Sequence, residues 1–255
     1  MSETGKIVVR PLRFTDNVVA MQEFLEILGL RPRIEAEGGG WVTMVAGGGM
    51  VALHSAASST TGGLPGQTAL AFEVDDVHAF AQQLQAAGVP DVTVYDETYG
   101  QVLECRDPLG DVLTVDSVTG DLYGYRVHPM APPSSLRVSP VRFTDPQGDY
   151  GDFLHALGLT ERPGSNESYA SYAAAGGDHG LVGLHMMMGD DNPGVVPGKG
   201  AAKLNFESPE PVDELTRRLV DKGFDAKACR ESFGSFVTVV DPDGQQVQVH
   251  EAPKV

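Results

Sequence analysis

The chain has 255 residues, 41% of them hydrophobic and 21% charged, and 35 acidic against 18 basic side chains give a formal net charge of −17. That apolar content suffices for two ordinary cores, while so acidic a surface repels phosphate backbones and anionic headgroups and excludes counterion-driven binding to nucleic acid or membrane. No run approaches the roughly 20 apolar residues of a bilayer span, the first ten residues lack a leader's apolar stretch, and Cys105 and Cys229 supply neither a disulfide framework nor a thiolate zinc site, so the expectation is a cytoplasmic protein.

In chain order, a short strand is predicted over 7–14, followed by Asp16 as the cap of a helix that stops at Gly29. Val18, Met21, Phe24, Leu25 and Leu28 recur on that helix at helical spacing and form one apolar stripe. Three short strands follow, separated by hairpin turns at 38–40 and 47–49. The unit then begins again: a strand over 69–74, a helix over 76–87 with Val77, Phe80 and Leu84 inward, and strands near 92–94, 102–106 and 111–115.

The second half of the chain repeats the first. Pro11-Leu12-Arg13-Phe14-Thr15-Asp16 returns as Pro140-Val141-Arg142-Phe143-Thr144-Asp145. Leu28-Gly29-Leu30 returns as Leu157-Gly158-Leu159, Leu53-His54 as Leu184-His185, and Asp107-Pro108-x-Gly110 as Asp241-Pro242-x-Gly244. Helices of the second copy are predicted over 147–156 and 212–222. This gives a first domain over 1–118, a linker over 119–135 and a second domain over 136–255. The linker holds Gly120, Gly124, Pro129, Pro132 and Pro133, which cannot sustain a helix or a central strand.

Strand-helix-strand-strand-strand thus occurs four times. With the Phe-Thr-Asp after strand one, the Leu-Gly-Leu helix end, Phe72-Glu73-Val74-Asp75-Asp76 and both Asp-Pro-x-Gly turns, the chain resembles the vicinal oxygen chelate superfamily of glyoxalases, extradiol dioxygenases and bleomycin-binding proteins. The resemblance implies an α+β fold of two tandem domains, each a pair of βαβββ modules whose curved mixed sheets form a cup with helices outside. It also implies that a cation, where relatives hold one, would meet the positions of Val9, Ala52, Ala69 and Thr114 in the first copy. In the second copy the corresponding residues are Val138, Gly183, Lys203 and Gln248. The first four offer no carboxylate or imidazole, and an ammonium beside a divalent metal is costly, so neither metal nor cofactor is expected.

Residues two or four away on a strand share a face. From the implied positions this brings Arg13, His54 and Glu73 to the first cup, with Asp116 beside them, and Arg142, His185, Lys203, Glu207 and His250 to the second. These eight anchors, Asp116 apart, are the candidate ligand-binding residues. Arg13 and Arg142 suit bidentate recognition of a ligand carboxylate or an internal ion pair. The histidines suit a hydrogen-bonded, half-buried role as well as ligand contact, and Glu73 and Glu207 could orient the helices that follow them. Trp41, Tyr169 and Tyr172 are placed to stack a flat ligand, and the loops 55–67 and 186–200, the latter opening with Met186, Met187 and Met188, are expected over the cup mouths.

The function expected is metal-independent binding of a small organic ligand, similar in kind to the bleomycin-binding members, by an intrachain pseudo-dimer able to dimerise further. The rival is a metal-dependent lyase, isomerase or dioxygenase using His185, Glu207 and His250, the two-imidazole, one-carboxylate donor set of non-haem iron and some zinc sites. A third reading is a scaffold whose cups are filled by their own side chains. Whether modules pair within or across the copies is left open by the sequence.

Overall fold

The computed structural model describes residues 6–60, 62–118, 120, 122–129, 134–187 and 194–253. Pro132, Pro133, Met188 and the adjoining 189–193 of the second loop lie outside them. The first copy runs β1 (Val8–Val9), β2 (Leu12–Thr15), α1 (Val18–Leu28), β3 (Arg31–Ala36), β4 (Trp41–Val45) and β5 (Met50–Ser55). It continues with β6 (Thr68–Ala69), β7 (Ala71–Val74), α2 (Val77–Ala86), β8 (Thr93–Glu97), β9 (Gly100–Arg106) and β10 (Val112–Ser117). Within the predicted linker, β11 (Tyr125–Val127) pairs with the edge of β3, a place where a glycine- and proline-rich segment can still form a strand.

The second copy runs β12 (Arg137–Val138), β13 (Val141–Phe143), α3 (Tyr150–Ala156), β14 (Thr160–Glu161), β15 (Tyr169–Ala173) and β16 (Leu181–His185). It ends with β17 (Asn205–Ser208), α4 (Val212–Asp221), β18 (Ala226–Glu231), β19 (Gly234–Val240) and β20 (Gln246–Glu251). The fold is α+β, with four sheets of mixed strand direction.

The predicted opening strand is broken in two, and the break decides how modules pair. Pro11 has no N–H to give a ladder, and the chain changes sheets there. Before it, Val9 pairs with Phe72 of β7; after it, Arg13 pairs with Leu53 of β5 and Thr68 of β6. Around Pro140 the same happens: Val138 pairs with Phe206, then Val141 bridges Lys203. Each cup is therefore built from the two modules of one copy.

The cores, in contrast, mix the copies. Phe72, Phe80 and Leu84 share one apolar cluster with Phe153, Leu154 and Tyr172; Phe24, Leu25 and Leu53 share the other with Phe206, Leu215 and Leu219. At about 1.5–3 kcal/mol for each large side chain fully buried, these clusters bind the copies together as well as holding each one folded. The α1 stripe is buried as its spacing predicts, and Phe24 packs on Phe224 with ring centroids 5.1 Å apart. Its cap is Asn17, whose side chain accepts from Ala20 N, not Asp16, whose own N–H points to Asp243.

Backbones also cross between copies. Val9 N–H donates to the His179 carbonyl at 2.9 Å and Val138 N–H to the Gly48 carbonyl at 2.8 Å. A Cβ on Gly180 would sit 2.8 Å from Val9 Cβ, so this close approach requires glycine.

Candidate functional site

Strand alternation separates the helix-bearing face from the concave one. Phe72 and Val74 enter the helix-side core, so Ala71 and Glu73 face the hollow; Leu113 and Val115 likewise leave Thr114 and Asp116 facing it. Leu53 lies on the helix side and His54 on the other. In the second copy the same alternation puts Gly183, His185, Lys203, Asn205, Glu207, Gln248 and His250 on the concave face.

Arg13 and Arg142, expected as ligand anchors, are not in the cups. Arg13 is paired with Leu53 on the helix side, 1% exposed, and its guanidinium is ion-paired to Asp241 and Asp243 of the second copy's Asp-Pro-x-Gly turn. It also donates to Thr68 Oγ1 at 3.1 Å. Arg142 does the reciprocal job, holding Asp107 at 2.9 Å and Asp111 beside the first copy's turn, where the Tyr150 hydroxyl donates to Asp107 at 2.9 Å. Each guanidinium pairs with two carboxylates, as the residue type allowed, but to clamp one copy to the other. Burial raises the Asp241 carboxyl and the Arg13 charge opposes that rise, a balance that holds only while the pair is intact.

Each cup repeats one arrangement. His54 lies between Phe14 and Trp41, with ring centroids at 5.7 and 5.6 Å; His185 lies between Phe143 and Tyr169, at 5.6 and 6.1 Å. Each imidazole Nδ1 is 2.7 Å from the carbonyl oxygen of the next (Ser55) or adjoining (Met186) residue. Glu73 accepts from Arg33 at 3.0 Å and Glu207 from Arg162 at 2.8 Å, so both glutamates arrive already paired. Neither arginine was singled out from the sequence, although an arginine four residues beyond Gly29 and Gly158 in both copies was the available signal.

The cups then diverge. In the first, Arg10 is 3% exposed, ion-paired to Glu73 and Asp116, with its guanidinium 5.7 Å from the Trp41 ring centroid. Burial lowers its pKa and the Glu73 charge works against that. The loop before β6 closes on the same hollow, because a Cβ at Gly63 would lie 2.4 Å from the Phe14 ring. This cup is filled by its own side chains.

In the second cup Arg137 joins Arg162 on Glu207, at 3.0 Å. Lys203 is 5% exposed and donates to the Gln246 side-chain oxygen at 3.3 Å; among the described residues it has no carboxylate partner. Burial brings its ammonium down to about 8. His250 is brought down to about 4 by burial, with the Lys203 charge adding to the effect. Phe236 stacks on His250 at 5.2 Å and Phe233 on Phe236 at 5.8 Å, a ladder running outward to a residue 74% exposed. Gln246, Gln248, Thr238 and Tyr169 on the same face are half-buried. Gly194, from the loop expected over the mouth, lies against Lys203: its Cβ would be 3.1 Å from Cε.

A divalent cation, implied by the fold family, does not fit these residues. Val9 and Val138 turn into the inter-copy core, and Ala52 and Ala69 carry no donor. A Cβ at Gly183 would meet the Tyr169 hydroxyl at 3.0 Å, so that phenol fills the space of a ligand side chain. Glu207 is held on one oxygen by Arg137 and on the other by Arg162. Among the described residues no three His, Cys, Asp or Glu side chains are grouped so as to hold an ion, and of the alternative set His185, Glu207 and His250 the glutamate is already engaged by two arginines. Cys105 is buried, its thiol pushed up to about 12 by that burial, which removes it as a nucleophile.

Comparison with known proteins agrees with this architecture. Residues 12–113 match the family model of the Glyoxalase/Bleomycin resistance protein/Dioxygenase superfamily. No curated protein matches the chain in sequence. Among solved structures, a catechol 2,3-dioxygenase superposes with a TM-score of 0.60 at 15% identity, covering 97% of this chain and 88% of its own. The Mn(II)-bound glyoxalase from Novosphingobium aromaticivorans gives 0.58 at 15% identity, covering 97% and 83%. The homoprotocatechuate 2,3-dioxygenase from Brevibacterium fuscum, solved with 3,4-dihydroxyphenylacetate, gives 0.58 at 15%, covering 98% and 82%.

Proposed function

The chain has the vicinal oxygen chelate fold and bears the glyoxalase/bleomycin resistance/dioxygenase signature in its first half, and from that premise we propose that it is a metal-independent small-molecule-binding protein whose receptor is the second cup. The observation that carries this reading is the contrast in occupancy. The buried Arg10 guanidinium stands across the first hollow, whereas the second has Ser139 at that position and is lined by half-buried Gln246, Gln248, Thr238 and His250 beside the Phe236 ring. Concave sites that join apolar walls to a few converging polar groups are where small ligands bind. Tyr169, Phe236 and His250 supply the apolar walls, and Lys203 with the amides supplies the polar floor.

No helix among the described residues is long and apolar enough to cross a membrane. The partner in this reading is a small organic molecule, and its use is sequestration of a drug or metabolite.

A thermal-shift screen of the full chain against aromatic and carboxylate-bearing metabolites tests the reading. A ligand at a hundred times its dissociation constant adds about 2.7 kcal/mol of stability. A library in which nothing shifts the transition contradicts it. The structural relatives keep a metal-dependent lyase, isomerase or dioxygenase as the rival, and elemental analysis of untagged protein separates the two: stoichiometric zinc, iron or manganese that disappears in His185→Ala would install the rival.

A further inference from the structure

The second cup has an electrostatic imbalance that its own residues do not resolve. Among the described residues, Arg137 and Arg162 take both oxygens of Glu207, the carboxylate on this face of the second cup. Among the same residues the buried Lys203 ammonium has the neutral Gln246 amide oxygen, 3.3 Å away, and no carboxylate. A buried ammonium without a counter-ion is costly, and an incoming anion removes that cost. The rest of the molecule is strongly acidic, with a net charge of −17, so a local excess of cations in a hollow is not a general property of the surface.

The walls add a shape requirement. Phe233, Phe236 and His250 stack in a row, at 16° between the first two rings and 24° between the second two, and Phe143, His185 and Tyr169 form a second aromatic group across the cup. The equivalent positions of the first copy carry Tyr99 and Val102 in place of Phe233 and Phe236, and Ala69 in place of Lys203. The ladder and the ammonium thus occur together, in the second cup and not in the first.

We propose that the second cup is a receptor for an aromatic carboxylate, with the carboxylate on Lys203 Nζ and the ring along Phe236 and His250. This rests on the small-molecule-binding reading above and deepens it by naming the ligand class. Gln246 and Gln248 flank the ammonium as amide donors to the second carboxylate oxygen. Arg137 and Arg162 remain on Glu207 and keep that carboxylate from repelling the ligand.

The test is isothermal titration of the full chain at pH 7 with 2-naphthoate and its neutral isostere 2-naphthamide. The expected result is a preference for the acid of about tenfold or more. Lys203→Met abolishes the preference while leaving the amide's affinity in place, and Phe236→Leu weakens both ligands alike. A urea melt of each variant confirms folding. Equal affinity for acid and amide in the unsubstituted chain overturns the carboxylate class, and a preference that survives in Lys203→Met overturns Lys203 as its anchor; either leaves small-molecule binding standing. If neither compound binds, the inference falls; if the metabolite screen is also silent, the reading beneath it falls too.

Discussion

The two cups descend from one sequence written twice, yet their charges are settled in opposite ways. In the first, Arg10 and Arg33 meet Glu73 and Asp116, and the guanidinium of Arg10 lies against Trp41 where a ligand would go. In the second, His250 stands at the place of Asp116, Ser139 at that of Arg10 and Lys203 at that of Ala69, so the internal guanidinium is gone and a buried ammonium with no carboxylate partner among the described residues is present. The lesson is that a handful of charge exchanges changes the electrostatics of a duplicated cup, with the backbone, the glutamate–arginine pair and the sandwiched histidine kept.

Removing the plug is the most severe way to break the comparison. Arg10→Met leaves Glu73 and Asp116 without their shared guanidinium in a site 3% exposed at residue 10, and a loss of about 3–5 kcal/mol in urea unfolding is expected. Arg13→Ala, which strips Asp241 of its partner across the copies, falls in the same range of about 3–5 kcal/mol and leaves carboxylate preference in the second cup unchanged. A neutral result at either position would mean these ion pairs do not carry the fold.

A smaller change sharpens the contrast by making the second cup resemble the first. His250→Asp restores the residue found at Asp116 and offers Lys203 an internal counter-ion. The expected outcome is a loss of about 1–2 kcal/mol in 2-naphthoate binding by titration, since the ligand no longer relieves an unpaired charge. Affinity equal to that of the unsubstituted chain would show that Lys203 is not what the carboxylate meets.

The smallest effect is in pH dependence. His250 titrates near 4 in the folded chain, because burial and the Lys203 charge favour its neutral form, against 6.5 when unfolded. Between those values the unfolded state binds the extra proton, so stability falls as pH drops from 6.5 to 4 and this contribution flattens below. His250→Gln removes that slope in urea titrations across the interval; an unchanged slope would assign acid sensitivity elsewhere.

Much of the architecture was legible because it rests on local periodicity and self-comparison. The α1 stripe, the inward Val77, Phe80 and Leu84 of α2 and the doubling of every module follow from spacing alone. Strand parity also read correctly wherever a strand stays in one sheet, as for His54 and Glu73. It failed on the opening strand, where both faces are apolar and Pro11 moves the chain between sheets: Val9 and Arg13 share a side, but it is the helix side, and the cup receives Val8, Arg10, Leu12 and Phe14. The role of Arg13 was out of reach for a further reason, since its partners Asp241 and Asp243 are more than two hundred residues away and the Asp-Pro-x-Gly motif announces a turn, not a clamp. Lys203 was visible as a residue that disfavours a metal; that it has no carboxylate partner among the described residues depends on two arginines holding Glu207, which no spacing rule reveals.

The proposal's central claim is that the buried ammonium of Lys203, which has no carboxylate partner among the described residues, lacks a counter-ion in the ligand-free chain. Urea unfolding of Lys203→Met beside the unsubstituted chain, at pH 7 and without ligand, measures it directly. The account predicts that the variant is more stable, by about 1–3 kcal/mol, because a methionine fills the same volume without an unpaired charge. A variant less stable than the unsubstituted chain would show that Lys203 already has the partner it needs, and would contradict the account.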